Sequence, residues 1–217
     1  MVIEDADALV ARAHALAQQG ERRILGIAGP PGGGKSTVAR QVVAELGERA
    51  RLVPMDGFHL AQSELVRLGR RERMGAPDTF DAAGYAALLA RLRGPEAVVY
   101  APEFRREIEE PIAGAIAVPR DVPLVVTEGN YLLLPDERWA PIRGLLDESW
   151  YVETDEELRV QRLIQRHIQF GKTPEYARAW VLRSDERNAE LVATTRGRAD
   201  VVVAYPANGG AITARKS

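Results

Sequence analysis

Apolar positions recur along this chain with two periods, and the periods alternate. Leu9, Val10, Ala13, Leu16 and Ala17 fall at helical spacing among charges, so residues 5–19 read as a leading amphipathic helix. RILGIA (23–28) is a short apolar run ahead of a glycine and reads as a buried strand. Val38, Val42 and Leu46 then share one face of a helix that Gly47 ends. ARLVPMD (50–56) reads as a second strand, residues 59–69 as a short helix, and the polar RRERMGAPDTF as a surface loop. Asp81 caps a helix with Tyr85, Leu88, Leu89 and Leu92 on one face, stopped by Gly94.

The second half continues the alternation. AVVYAP and GAIAVP read as short strands on either side of a charged stretch, an edge hairpin near 95–120. VPLVVTEG (122–129) and SWYVET (149–154) are strands. Residues 155–172 read as a helix that is acidic at its start and basic towards its end, as the helix dipole favours. The stretch from Pro174 to Thr195 reads as a second long helix, and ADVVVAY (199–205) as a closing strand. Strands alternating with helices imply an α/β domain with a mostly parallel sheet.

Composition narrows this little. A chain of 217 residues, 46% hydrophobic, suits one domain over 1–217 with a lid region at about 155–190. Lys and Arg number 29 and Asp and Glu 31, so nothing points to nucleic acid or an anionic membrane as partner. There is no cysteine, hence no disulfide framework and no thiolate metal site. The acidic start lacks an apolar signal region, so the expected location is the cytoplasm.

The chemistry concentrates in GIAGPPGGGKSTVAR (26–40), where Gly29, Gly34, Lys35 and Ser36 satisfy G-x-x-x-x-G-K-[ST] between a strand and a helix. Gly32, Gly33 and Thr37 complete the candidate nucleotide-binding loop. Glycines let successive N–H groups turn inward round a phosphate, and the helix that follows offers its N-terminus to the same anion. Lys35 would reach the β and γ phosphates and Ser36 would ligate Mg²⁺. There is neither an N-K-x-D guanine reader nor a transporter signature.

Three further groups would complete a phosphotransferase. Asp56, at the end of the second predicted strand, is placed to act as general base, with Phe58 and His59 shaping an acceptor pocket beside it. Glu128 ends the most strand-like run and would face Mg²⁺ or the substrate. Arg159, Arg162 and Arg166 fall at i, i+3 and i+7, a cationic stripe beside the apolar Val160, Ile164 and Ile168, which suits a lid helix over phosphates.

GPPGGGKST, PMDGFHL, GAPDTFD, VVTEGNYLLL and ERNAELV occur in this order. Together they resemble the phosphoribulokinase, uridine kinase and pantothenate kinase superfamily of P-loop kinases, in particular its nucleoside/nucleotide kinase-like branch that includes fructose-transport-system kinases. The resemblance implies an NMP-kinase-like core with a five-stranded parallel sheet, ATP with Mg²⁺, and transfer of the γ-phosphate to an alcohol on a small metabolite. It gives Lys35, Asp56, Arg162 and Arg166 catalytic roles and makes Arg106 the substrate-side arginine. Where the branch reads P-x-F-D-R, this chain has Arg105 in place of the aspartate, and an added cation there would favour a phosphorylated or acidic acceptor. A non-catalytic ATP-binding regulator on the same fold is the alternative reading. Strands near 98–118 pairing between protomers would give a homodimer.

Overall fold

The computed structural model describes residues 1–3 and 5–204. Six strands form one parallel sheet in the order β1-β8-β7-β2-β6-β3. They are β1 (Val2–Ile3), β2 (Arg23–Ala28), β3 (Ala50–Leu52), β6 (Leu124–Glu128), β7 (Glu148–Glu153) and β8 (Val201–Ala204). The five expected strands are all present. The sixth, β1, adds two residues at the edge by pairing with β8, and its shortness left no periodic signal. Tyr205, the last residue of the predicted closing strand, lies outside the described residues.

Side chains alternate across the sheet as a strand's period of two demands. From β2, Leu25 and Ile27 enter one core with Val38, Val42 and Leu46 of α2 (Lys35–Leu46) and Leu9 and Ala13 of α1 (Ala6–Ala17). Ile24 and Ala28 enter the other, with Tyr85, Leu88, Leu89 and Leu92 of α4 (Ala82–Leu92) and Ile142 of α5 (Ala140–Gly144). A parallel sheet covered on both faces explains why its strands read as continuous apolar runs. Asp81 caps α4 as expected, accepting from the N–H of Gly84 at 2.8 Å.

Three elements depart from expectation. The second strand stops at Leu52, because Pro54 carries no N–H to continue the ladder. Residues Met55–Phe58 instead wind into a helical turn, which lifts Asp56 off the strand. The predicted edge hairpin is no part of the main sheet. β4 (Val98–Arg105) and β5 (Glu110–Pro119) form an antiparallel sheet of their own, running through the charged stretch. Its inner residues Val99, Ala101 and Val118 dock on the α4 core. The long C-terminal helix is broken into α7 (Pro174–Trp180), a wide turn with i→i+5 bonding at Val181–Asp185, and α8 (Glu186–Ala193). The predicted helix in 59–69 is α3 (Gln62–Arg67), and that in 155–172 is α6 (Glu156–Gln169), capped by Asp155. No helix among the described residues is long and apolar enough to cross a membrane.

One arginine ties the hairpin to the body. Arg22 donates to the carbonyls of Val122 (3.0 Å), Leu92 (2.9 Å) and Pro119, closing the end of α4, the end of β5 and the turn before β6 on one guanidinium. Charged donors to carbonyls are the stronger class of hydrogen bond. Arg22→Ala is expected to lower unfolding stability by about 2–3 kcal/mol, read as a shifted urea midpoint at constant slope. A variant within experimental error of the parent would show that the clamp carries no stability.

Candidate active site

The loop between β2 and α2 emerges at the carboxyl end of the sheet, where parallel α/β folds hold their ligands. Two of its glycines have positive φ for a reason visible in their surroundings. Gly34 (φ 91°) is the left-handed residue that opens α2. At Gly32 (φ 75°) a Cβ would stand 2.8 Å from the carbonyl oxygen of Arg159 and 2.7 Å from Leu163, so the loop lies flush against α6. Gly29, Gly33 and Thr37 complete the loop and the first turn of α2, and Thr37 is exposed.

Lys35 folds back over the loop and is only 7% exposed, its Nζ donating to the Pro30 carbonyl at 2.9 Å. Ser36 Oγ donates to Glu128 Oε1 at 2.8 Å, which joins the loop to the end of β6 as the expected metal pair. Across a cavity of about 300 Å³ stands Asp56, whose Oδ2 accepts from Arg106 Nη2 at 3.0 Å. Arg106 comes from the turn of the β4–β5 hairpin. Gly57 makes that approach feasible, since a Cβ there would lie 2.4 Å from the Pro102 oxygen. Arg166 lines the same cavity from α6, where Asp185, Asp56 and Glu128 attract its charge and Arg106 opposes it.

The wall beyond Asp56 is aromatic. His59 sits between Phe80 and Phe104, at centroid distances of 4.0 and 4.5 Å. Two motifs zip together to build it: the N–H of Leu60 donates to the Thr79 carbonyl and that of Asp81 to the Phe58 carbonyl, both at 2.9 Å. These bonds join PMDGFHL to GAPDTFD in space. The mouth is made by the lid. Lys172 lies 4.6 Å from the Trp180 ring centroid and 5.7 Å from that of Tyr176, with Glu109 of the hairpin turn 4.0 Å away. His167 contacts Asp185 at 3.0 Å across the same opening.

Several expected site residues are placed elsewhere. Phe58 turns into the core against Tyr85 (centroids 5.1 Å apart), and Phe80 and Phe104 take the role foreseen for it. The arginine stripe divides: Arg159, 4% exposed, is bound to Glu186 of α8 at 2.7 Å and reaches the Pro31 carbonyl at 3.5 Å, so it props the loop from behind. It shares its helix face with Leu163 and Arg166, one and two turns on. Arg162 lies to one side, half-buried with contacts of its own, and does not line the cavity. Val160, Ile164 and Ile168 are half-buried, and the sealed apolar contact of α6 is Leu163. Arg105 is exposed and faces Glu110 in the hairpin register, so it adds no cation to the cavity. Trp180, Tyr176 and Lys172 gave no motif signal, because the turn after α6 and the path of α7 bring them to the mouth.

Crowding sets the charges. Burial pulls Lys35 down to about 8, against the pull of Glu128 and Asp56. Burial also pushes Glu128 above the usual carboxylate range, aided by repulsion from Asp56. Burial opposes charge on Asp56 too, but the positive field of His59 when protonated, Arg106, Lys35 and Arg166 outweighs it and holds this carboxylate low. Burial and the neighbouring Arg106 depress Arg166. Among the described residues no cluster of three or more His, Asp or Glu side chains could enclose a metal. The Ser36–Glu128 pair instead fits a Mg²⁺ that keeps most of its shell as water and phosphate oxygen.

No family model matches the chain. Individual relatives do. It is 32% identical over 209 residues to a candidate uridine kinase of Schizosaccharomyces pombe, covering 91% of this chain and 89% of that protein. It is 29% identical over 218 residues to the pantothenate kinase of Streptomyces coelicolor, covering 86% of this chain and 66% of that one. A crystal structure from Silicibacter sp. TM1040, of a candidate fructose transport system kinase, superposes with a TM-score of 0.81 at 33% identity, over 91% of this chain and 98% of that one.

Lys35 gives up its proton more readily than an ordinary lysine, and an anion bound at the loop would return it. Lys35 titrates near 8 instead of its ordinary 10.5, and a polyphosphate beside it restores the higher value. ATP binding at pH 9 is therefore expected to take up close to one proton, and Lys35→Met to abolish that uptake. Calorimetry in buffers of different ionisation heat measures it. Equal uptake in the two proteins would assign the proton to another group.

Proposed function

The chain belongs to the phosphoribulokinase, uridine kinase and pantothenate kinase family of P-loop kinases, and we propose that it transfers the γ-phosphate of ATP to a hydroxyl of a small metabolite. One observation carries the reading. A carboxylate held by an arginine, Asp56 with Arg106, faces the Lys35 and Ser36–Glu128 group across a single cavity.

In this reading the glycine loop and Lys35 hold the nucleotide's phosphates, and Ser36 and Glu128 hold Mg²⁺, which neutralises charge on the transferring group when bound. The acceptor lies between Asp56 and the aromatic wall. Its hydroxyl oxygen forms a bond to the γ-phosphorus as the bond to the β,γ-bridging oxygen breaks, and ADP leaves with that oxygen. The hydroxyl proton passes to Asp56 and then to water. The low pKa of Asp56 keeps it ionised and able to accept, and Arg106 fixes the carboxylate's direction. Arg166 faces the equatorial oxygens of the group in flight. Closure of the lid tip over the mouth excludes water, which would otherwise compete with the acceptor.

Asp56→Asn separates binding from chemistry. Nucleotide affinity is expected to stay within about twofold of the parent, while turnover falls at least about 100-fold, the low end for loss of a general base. ADP release with a panel of hydroxylated metabolites gives the rate, and fluorescent-ATP titration gives the affinity. Undiminished turnover would remove Asp56 from the mechanism.

A further inference from the structure

A second cavity lies behind the first, and the phosphoryl-transfer reading uses none of it. It holds about 430 Å³ and is framed on one side by residues 72–78 and on the other by the wide turn and α8. The partition between the two is the backbone at Gly75, which lines the first cavity. The Gly75 carbonyl accepts from the Tyr131 hydroxyl and from the Asn188 amide, the latter at 3.3 Å, and its N–H donates to Thr79 Oγ1 at 3.0 Å. Glu72 and Asn188 border both spaces. Three guanidiniums and two carboxylates line the second one: Arg73, Arg183 and Arg187 against Glu72 and Asp78. Asp78 is already engaged, by Arg73 at 2.5 Å and by Arg70 at 3.4 Å. Glu72 is left to face two arginines. It stands 3.8 Å from Arg183, in a pair whose side chains are 76% and 65% exposed. A pair so open to water contributes little and is readily replaced.

Ser184 adds a hydroxyl to this lining, and Ala76, Pro77 and Leu191 add apolar surface. Spare guanidinium beside apolar surface, in a space of small-molecule size, specifies an anion with forked acceptor oxygens on a compact, less polar body. We infer that the second cavity is an effector site for a small phosphorylated metabolite, separate from the donor and acceptor sites. Its position gives the ligand a way to act. A phosphate there bridges residues 72–78 to α8 in place of the loose Arg183–Glu72 contact. Residues 72–78 lead directly into Phe80 of the aromatic wall, and the Arg183 guanidinium lies 5.6 Å from the Trp180 ring centroid at the mouth. A ligand that binds only when both sides stand at this separation favours that arrangement of the first cavity. The effect is activation, read as a lower KM for the acceptor with kcat unchanged. Binding does not rest on the kinase reading; the effect on KM does.

Calorimetry on the full chain tests the site, with Mg²⁺ and a non-hydrolysable ATP analogue at saturation to keep the glycine loop occupied. The probes are inorganic phosphate, glycerol 3-phosphate, phosphoenolpyruvate and AMP, with uncharged glycerol as control. At least one phosphate-bearing probe should bind, less tightly as salt rises, and glycerol should not. Arg187→Ala should weaken that binding about tenfold or more, the loss of a hydrogen bond to a charged group. Arg187→Lys should keep part of it, and Glu72→Gln, which removes the competing acid, should tighten it. Affinity for the ATP analogue should stay within about twofold in all three, which checks that fold and donor site are intact. Arg106→Ala, on the acceptor side, should leave probe binding unchanged. Binding lost in Arg106→Ala and kept in Arg187→Ala would put the anion in the acceptor cavity and overturn the inference, as would no binding by any of the four probes. With an acceptor that is phosphorylated, the bound probe should lower its KM about fivefold, the low end for coupled sites. Arg187→Ala should show unchanged kinetics without the probe and no response to it. A probe that binds and leaves KM unaltered overturns the effector role. Failure of the kinase reading has a separate sign, undiminished turnover in Asp56→Asn.

Discussion

Lys35, Asp56, Arg106, Glu128 and Arg166 share a small space at the carboxyl end of the sheet, and their balance is the constraint on which the site depends. Each buried charge is costly alone and tolerable with a partner. Asp56 has Arg106, and Glu128 has the Ser36 hydroxyl and the nearby Lys35. Lys35 has a backbone carbonyl and a lowered affinity for its proton. Among the described residues Arg166 is held only by the longer-range attraction of Asp185, Asp56 and Glu128. The ligand-free arrangement is therefore incomplete, with spare positive charge where an anionic donor would complete it.

Three parts of the chain that are far apart in sequence supply those groups, and the rest of the structure keeps them in register. The sheet delivers the glycine loop, the turn at Asp56 and Glu128 from neighbouring strands β2, β3 and β6. The hairpin brings Arg106, and is held at its base by the Arg22 clamp. Its turn is held by Gln62, whose N–H meets the Glu110 carboxylate at 3.2 Å and whose amide donates to the Glu109 carbonyl at 3.2 Å. α6 brings Arg166, and its Arg159 ties it both to the Pro31 carbonyl of the loop and to Glu186 of α8.

The glycine-loop side of the cavity was legible in the sequence because its parts are local. Gly34, Lys35 and Ser36 belong to one loop, Glu128 ends β6, and Asp56 lies in the turn that follows β3. The opposite side was legible only in part. Arg106 and His59 were expected there, but Phe104, Lys172, Tyr176 and Trp180 reach the cavity through the hairpin, the turn after α6 and the path of α7, and no spacing announces them. Phe58 and Phe80 illustrate the limit: both flank the Asp56 turn, and only packing against Tyr85 decides which one faces inward. Pro54 was a visible signal for the early end of β3, outweighed by the apolar run on either side of it. The wide turn at Val181–Asp185 defeats a reading by periodicity, since an extra residue per turn rotates everything after it. That rotation is how Asp185, Glu186 and Asn188 reach three different partners: His167, Arg159 and the Gly75 carbonyl.

The absent side chain at Gly57 has a reach beyond its own contact. The hairpin meets the turn that carries Asp56 there with the carbonyl and ring of Pro102 lying over a bare Cα. A methyl group at this point would press the ribbon outward and draw Arg106 away from Asp56, to which it donates at 3.0 Å. The spacing between an aspartate on one element and a cation on another is thus written into the backbone at a single residue that carries no side chain.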